Sequence, residues 1–158
     1  MVDLWPEDID YTETKAPVSI LKEQASLLGN KTKNLLKAEV RLCGSVRNNF
    51  LDKIKPVLRT EQSFCYTFYF VAPTLNNYRY RLFTILHGVQ LYPLGIDIDD
   101  SDVEAEILKT FEGALSPKDT VIAHSESEFL ETLQKILNAD KTKQIMKSIL
   151  AQTSFEPA

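Results

Sequence analysis

The stretch "SFCYTFYFVAPTLNNYRYRLFTILHG", residues 63–88, decides the fold. Its first part, "SFCYTFYFVAP", is dense in aromatic and β-branched residues, which fit a pleated and largely buried surface. Both faces of this segment are apolar, so it predicts a central strand. "PTLNN" (73–77) then supplies turn residues. "YRYRLFTILHG" (78–88) predicts a second strand, joined to the first as a hairpin.

Upstream of the hairpin the period is also two. Leu36, Ala38, Val40, Leu42 and Val46 alternate with Lys37, Glu39, Arg41, Cys43 and Arg47. That pattern predicts one long strand with a buried and a wet face, as in an antiparallel sheet. "RNNFLDKIKPVLRTEQ" (47–62) reads as a loop or short helix. Further upstream, Pro17 suits a first helical position, and Val18, Leu21, Ala25 and Leu28 recur at helical spacing, with Ile20 and Leu27 widening the apolar face. Gly29-Asn30 predicts the helix end. Residues 1–15 carry Trp5 and Tyr11 among five acids and one proline. They read as an extended N-terminal arm able to dock by its aromatics, with a frayed tail as the alternative.

Downstream, "VQLYPLGIDI" (89–98) predicts a fourth strand. Pro93 interrupts it and argues for an edge position or a bulge. Six carboxylates follow within ten residues: Asp97, Asp99, Asp100, Asp102, Glu104 and Glu106. Ser101 and Glu104 have capping-box spacing, and Val103, Ile107, Leu108 and Phe111 have helical spacing, so a helix is expected to start at Ser101 and close at Gly113. Most of the acid cluster is then a strand end and a helix start, where the helix dipole favours negative charge. "SPKDTVIAH" (116–124) predicts a turn and a fifth strand. Ser125 and Glu128 form a second capping box before the apolar stripe Phe129, Leu130, Leu133, Ile136 and Leu137. After a cap at Asn138 or Asp140, Ile145, Met146, Ile149 and Leu150 form a last stripe, and residues 153–158 read as a tail.

The expected fold is α+β. An N-terminal helix is followed by a four- to five-stranded, mainly antiparallel meander, and the C-terminal helices pack on one face. The chain of 158 residues, 44% hydrophobic and 25% charged, is expected to form a single domain over 1–158. The layout resembles that of small acidic α+β binding proteins such as secretion chaperones and toxin-immunity proteins, a likeness of fold that assigns no function.

Charge and cysteine usage narrow the setting. The net charge of −4 lacks the footprint of a nucleic-acid binder, so nucleic acid is not the expected partner. Cys43 and Cys65, too few for a disulfide scaffold, are expected to be reduced. The opening segment lacks a basic-then-apolar signal pattern, and no apolar run approaches the roughly 18 residues that span a bilayer. A cytoplasmic protein with no membrane partner is therefore expected.

The chemical motifs are weak. An EF-hand loop starting at Asp97 would need glycine at position six and glutamate at twelve, where Asp102 and Leu108 stand. Asp97 and Asp99, alternate residues of a strand, share a face and are weak candidates for a looser metal site. His87, His124, Cys43 and Cys65 have no zinc spacing, and both histidines are expected at surface or rim positions. No nucleophile elbow, phosphate loop or dinucleotide fingerprint occurs, and no cofactor is expected. A nuclease of the helix-then-strands kind would want acids in the central strands, and "FCYTFYF" and "YRYRLF" have none.

The most informative feature is basic and aromatic alternation. Arg41 and Arg47 on one strand, and Arg79 and Arg81 on another beside Tyr69, would form one patch if their faces coincide. Arginine and tyrosine are enriched where proteins bind proteins. Arg41, Arg47, Tyr69, Arg79 and Arg81 are therefore the candidate partner-binding residues. The expected function is a non-enzymatic interaction module that binds a protein partner or itself, as a homodimer. The alternatives are a metal-assisted hydrolase at Asp97 and Asp99, and a single-stranded nucleic-acid binder.

Overall fold

The computed structural model describes residues 1–10, 12–43, 46–59, 63–110 and 120–153. Its elements run α1 (Pro17–Lys31), β1 (Lys37–Leu42), α2 (Asn48–Leu58), β2 (Phe64–Ala72), β3 (Tyr78–His87), β4 (Leu94–Ile98), α3 (Ser101–Thr110), β5 (Val121–Ala123), α4 (Glu126–Leu137) and α5 (Asp140–Thr153). The hairpin at 63–88 forms as its pattern demands. β2 and β3 are antiparallel, joined by a 3₁₀ turn at Pro73–Leu75 and by Asn76 and Asn77, both at positive φ. Asn tolerates that left-handed backbone better than most residues.

All neighbouring strands are antiparallel and lie in sequence order, β1-β2-β3-β4-β5, so the sheet is a meander. The fold is α+β, as expected. On the first face, Phe68 and Phe70 of β2 join Phe83 and Ile85 of β3, and Ile96 and Ile98 of β4. The rings of Phe68 and Phe83 stack with centroids 5.1 Å apart, worth about 1 kcal/mol beyond area burial. Ile20 and Leu21 of α1, Val103 and Ile107 of α3, Phe129 and Leu133 of α4, and Ile149 of α5 close this core. β2 and β3 shift register between Phe68 and Tyr69, and the extra residue on β3, Leu82, is fully buried.

The second face is covered only in part. Phe50 and Ile54 of α2 pack against Leu86, with Cys65 and Ile122 alongside. Gly95 of β4 makes this possible, because a Cβ there would lie 3.0 Å from Phe50 Cζ and closer still to Ile54.

Several expectations need correction. The strand at 36–47 is shorter, ending at Leu42. Val46 and Arg47 instead lead into α2, whose apolar residues Phe50, Ile54 and Leu58 recur every four residues; Pro56 in its last turn had masked that period. α1 runs past Gly29-Asn30 to Lys31, and the left-handed residues come later, at Lys33 and Asn34. Pro93 precedes β4 and interrupts nothing, so β4 lies inside the sheet, between β3 and β5. The cap of α3 is Asp100: its Oδ1 accepts the backbone N–H groups of Asp102 (2.8 Å) and Val103 (3.1 Å). Asp is as good a cap as Ser and stands one residue earlier. The expected end at Gly113 lies outside the described residues.

Two further corrections concern side chains. Cys43 and Cys65 are joined in a disulfide, with Cα atoms 5.2 Å apart, because β1 runs on beside β2 and sets them opposite each other. His87 is 3% exposed, not at the rim: its ring stacks with Phe64 and Tyr66 on the first face. The second expected cap forms, with Ser125 Oγ accepting from Glu128 N–H, while Glu128 Oε2 reaches one residue past the cap to accept from His124 N–H. Among the described residues, no helix is long and apolar enough to cross a membrane.

Candidate interaction face

Strand register builds the candidate site. Residues paired across an antiparallel sheet point to the same face. On the second face one row reads Glu39, Tyr69 and Arg81, with Asp99 just past the end of β4. The row above it reads Lys37, Val71 and Arg79. The row below reads Arg41, Thr67, Thr84 and Asp97, with the two threonine hydroxyls 3.0 Å apart. Four of the five candidate residues, Arg41, Tyr69, Arg79 and Arg81, therefore share one face on adjoining strands.

The fifth, Arg47, arrives from another element. It is the N-cap residue of α2, and its guanidinium reaches over the same face to Asp97, with Nε 2.9 Å from Oδ2. The neighbouring Asp97, Asp99 and Glu104 hold its proton more tightly still, with the hydrogen bond to Asp97 the main cause. Arg47, Lys53, Asp97, Asp99, Glu104 and Thr120 help to line a polar hollow of about 230 Å³ where α2 meets the end of β4.

The charges of the face form a lattice. Glu39 accepts from Arg41 Nε at 2.8 Å and stands 3.5 Å from Arg79 Nε. Asp99 pairs with Arg81. Burial nevertheless pushes the Asp99 carboxyl above its usual range, more than Arg81 pulls it down. One carboxylate serves both Arg41 and Arg79, so the lattice keeps an excess of positive charge. Arg41, Arg79 and Arg81 are exposed and Tyr69 is half-buried, since the apolar contacts of α2 lie at the other end of the face.

Asp97 and Asp99 do lie on one face, as alternate strand residues should, but each faces a different arginine. Among the described residues no group of three His, Cys, Asp or Glu side chains is placed to hold a metal ion. The sequence pattern did not single out Glu39 and Asp99 as counter-charges of the basic patch. Their role depends on which strands are neighbours, and only the alternation over Lys37–Arg41 hinted at it.

The chain matches no family model, no curated protein and no solved structure.

Proposed function

We propose that this chain is a non-enzymatic interaction module that binds a protein partner or a second copy through the open part of its second sheet face. The observation that carries the reading is the shared face of Arg41, Tyr69, Arg79 and Arg81, left open beside a helix that covers the rest. Arginine and tyrosine are enriched among the residues that carry most of the binding energy at protein interfaces, and a fixed lattice of guanidinium and carboxylate groups supplies register and partner choice. A metal-assisted reaction at Asp97 and Asp99 has less support, because each carboxylate already has a guanidinium neighbour.

The expected cytoplasmic setting rests on free thiols as well as on the lack of a signal pattern. The Cys43–Cys65 disulfide fits an oxidising compartment instead, and we place the protein there. Alkylation of freshly lysed source cells, followed by mass analysis, decides this: two alkyl adducts without added reductant would return the protein to a reducing compartment.

Native mass spectrometry tests the function. The untagged protein should carry the mass of a retained polypeptide or of a second copy, above its own 18.0 kDa. The double variant Arg79→Glu, Arg81→Glu should lose that excess while keeping the circular dichroism of the parent. An excess unchanged by these reversals would sink the reading.

A further inference from the structure

The ten residues that open the chain are the chemical complement of the basic face. They contain Asp3, Glu7, Asp8 and Asp10 and no base. They also contain Val2, Leu4, Trp5 and Ile9, all exposed, with Leu4 at 89% and Trp5 at 75%. Large apolar side chains left this open on a short segment mark a contact surface rather than a core. The face opposite in sign carries Lys37, Arg41, Arg47, Arg79 and Arg81 against Glu39, Asp97 and Asp99, five bases to three acids, around Tyr69.

The root of the arm decides whose face it can use. Lys15 donates its backbone N–H to Glu126 Oε1 at 2.8 Å, and its ammonium lies 3.0 Å from Glu23. Both anchors belong to helices, α4 and α1, that pack on the first face of the sheet. The arm therefore leaves from the side away from the basic face. To reach its own basic face it would have to wrap round a sheet edge, whereas a second copy can present that face directly. Fully extended, ten residues span up to about 33 Å. Three strands are about 10 Å across, so the arm is long enough to cross β1, β2 and β3.

We infer that the acidic, Trp-bearing arm of one copy docks on the Arg41–Tyr69–Arg81 face of a second copy, and that two copies exchange arms reciprocally. This inference rests on the interface reading above and names the occupant. Asp8 and Asp10 meet the excess guanidinium charge, and Trp5 lies against Tyr69 and the arginine planes. Reciprocal exchange makes the contact closed and two-fold, so assembly stops at the dimer.

Trp5 is the only tryptophan in the chain, so its emission reports arm docking without a label. The experiment follows Trp5 emission and sedimentation of the full-length protein over a dilution series, in about 0.1 M salt. The result expected is a blue shift and a doubled mass that appear together with concentration. Asp8→Lys with Asp10→Lys should weaken dimerisation by about tenfold or more, as should Arg79→Glu with Arg81→Glu. All four substitutions in one chain should restore it, which a merely structural role of these residues would not do. Arg79→Gln with Arg81→Gln gives a milder face variant should the reversals perturb folding. A blue shift independent of concentration would mean that the arm folds on its own chain and would overturn the inference. Dimerisation lost in the face variant but kept in the arm variant would also overturn it, leaving the interface reading intact. A full-length protein that stays monomeric with unshifted Trp5 overturns it as well. Association indifferent to both variants would remove the inference and the interface reading together.

Discussion

Arg47, the residue that opens α2, holds the carboxylate of Asp97 across the second sheet face, with Nε 2.9 Å from Oδ2 and a second guanidinium N–H on Oδ1. The two ends of this pair are not equivalent. The Asp97 side chain is 8% exposed and that of Arg47 is 52% exposed. Removing Arg47 strands a buried carboxylate, whereas removing the charge of Asp97 leaves a guanidinium that water can reach. Arg47→Ala should therefore cost about 3 kcal/mol and Asp97→Asn about 1 kcal/mol. Urea unfolding of both variants checks the order. Equal costs, or a larger cost for Asp97→Asn, would mean that the pair does not hold α2 to the sheet.

Gly95 sets how closely α2 approaches. Its missing side chain leaves the space taken by Ile54 and Phe50, both buried. Gly95→Val should destabilise by about 1–3 kcal/mol through overpacking. In an Ile54→Ala background the same change should cost at least about 1 kcal/mol less, since the two side chains compete for one space. A thermodynamic cycle with no coupling between the two positions would contradict the packing described.

The disulfide closes a loop that contains all of α2, with Cys43 and Cys65 separated by 22 residues. Reduction, or Cys43→Ser with Cys65→Ser, should cost about 3 kcal/mol by the loop-entropy argument. Denaturant midpoints with and without reductant measure it. A midpoint indifferent to reductant would show that the bond adds nothing to stability.

His87 should make the protein acid-sensitive. Burial among Phe64 and Tyr66 lowers its pKa from the usual value of about 6.5. Its Nδ1 meets the Gly88 carbonyl at 2.7 Å, and Nε2 is buried without a hydrogen-bond partner among the described residues. The fold therefore favours the neutral ring, and the unfolded chain binds the proton first. The stability from this residue is fully present above about pH 6.5 and declines as pH falls below it, down to the lowered folded pKa. The steepest loss is about 1.4 kcal/mol per pH unit. His87→Phe keeps the ring stack and removes the proton. Wild type should lose stability relative to this variant between about pH 7 and 5, as read from urea midpoints at each pH. Parallel pH profiles would refute the assignment.

Much of this was legible in the sequence. The aromatic and β-branched density of Phe64–Ala72 and Tyr78–His87, with Asn76-Asn77 between them, was enough for the hairpin, and helical spacing located α1, α4 and α5. Boundaries failed where two signals overlapped. Asp100 outdid Ser101 as a cap, and Val46 continued a period of two that the backbone had abandoned at Leu42. α2 was obscured because Pro56 counts against a helix by propensity, although Phe50, Ile54 and Leu58 mark its apolar side. The candidate face was half legible. Period two placed Arg79 with Arg81, and Lys37 with Arg41, but only the register of β2 with both neighbours unites them. Pairing of the arginines with Glu39, Asp97 and Asp99, and of Cys43 with Cys65, depends on three-dimensional neighbours that one-dimensional spacing does not encode.

The central claim, that the open sheet face is an interface, is tested most directly by arginine labelling. The protein is treated with a dicarbonyl reagent as isolated with its partner, and again after dissociation, and each arginine is read by peptide mass spectrometry. Arg41, Arg79 and Arg81 should be protected in the associated state and labelled in the free chain, while exposed Arg59, at the end of α2, should label equally in both. Equal labelling of Arg41, Arg79 and Arg81 in the two states, or protection confined to Arg59, would contradict the account.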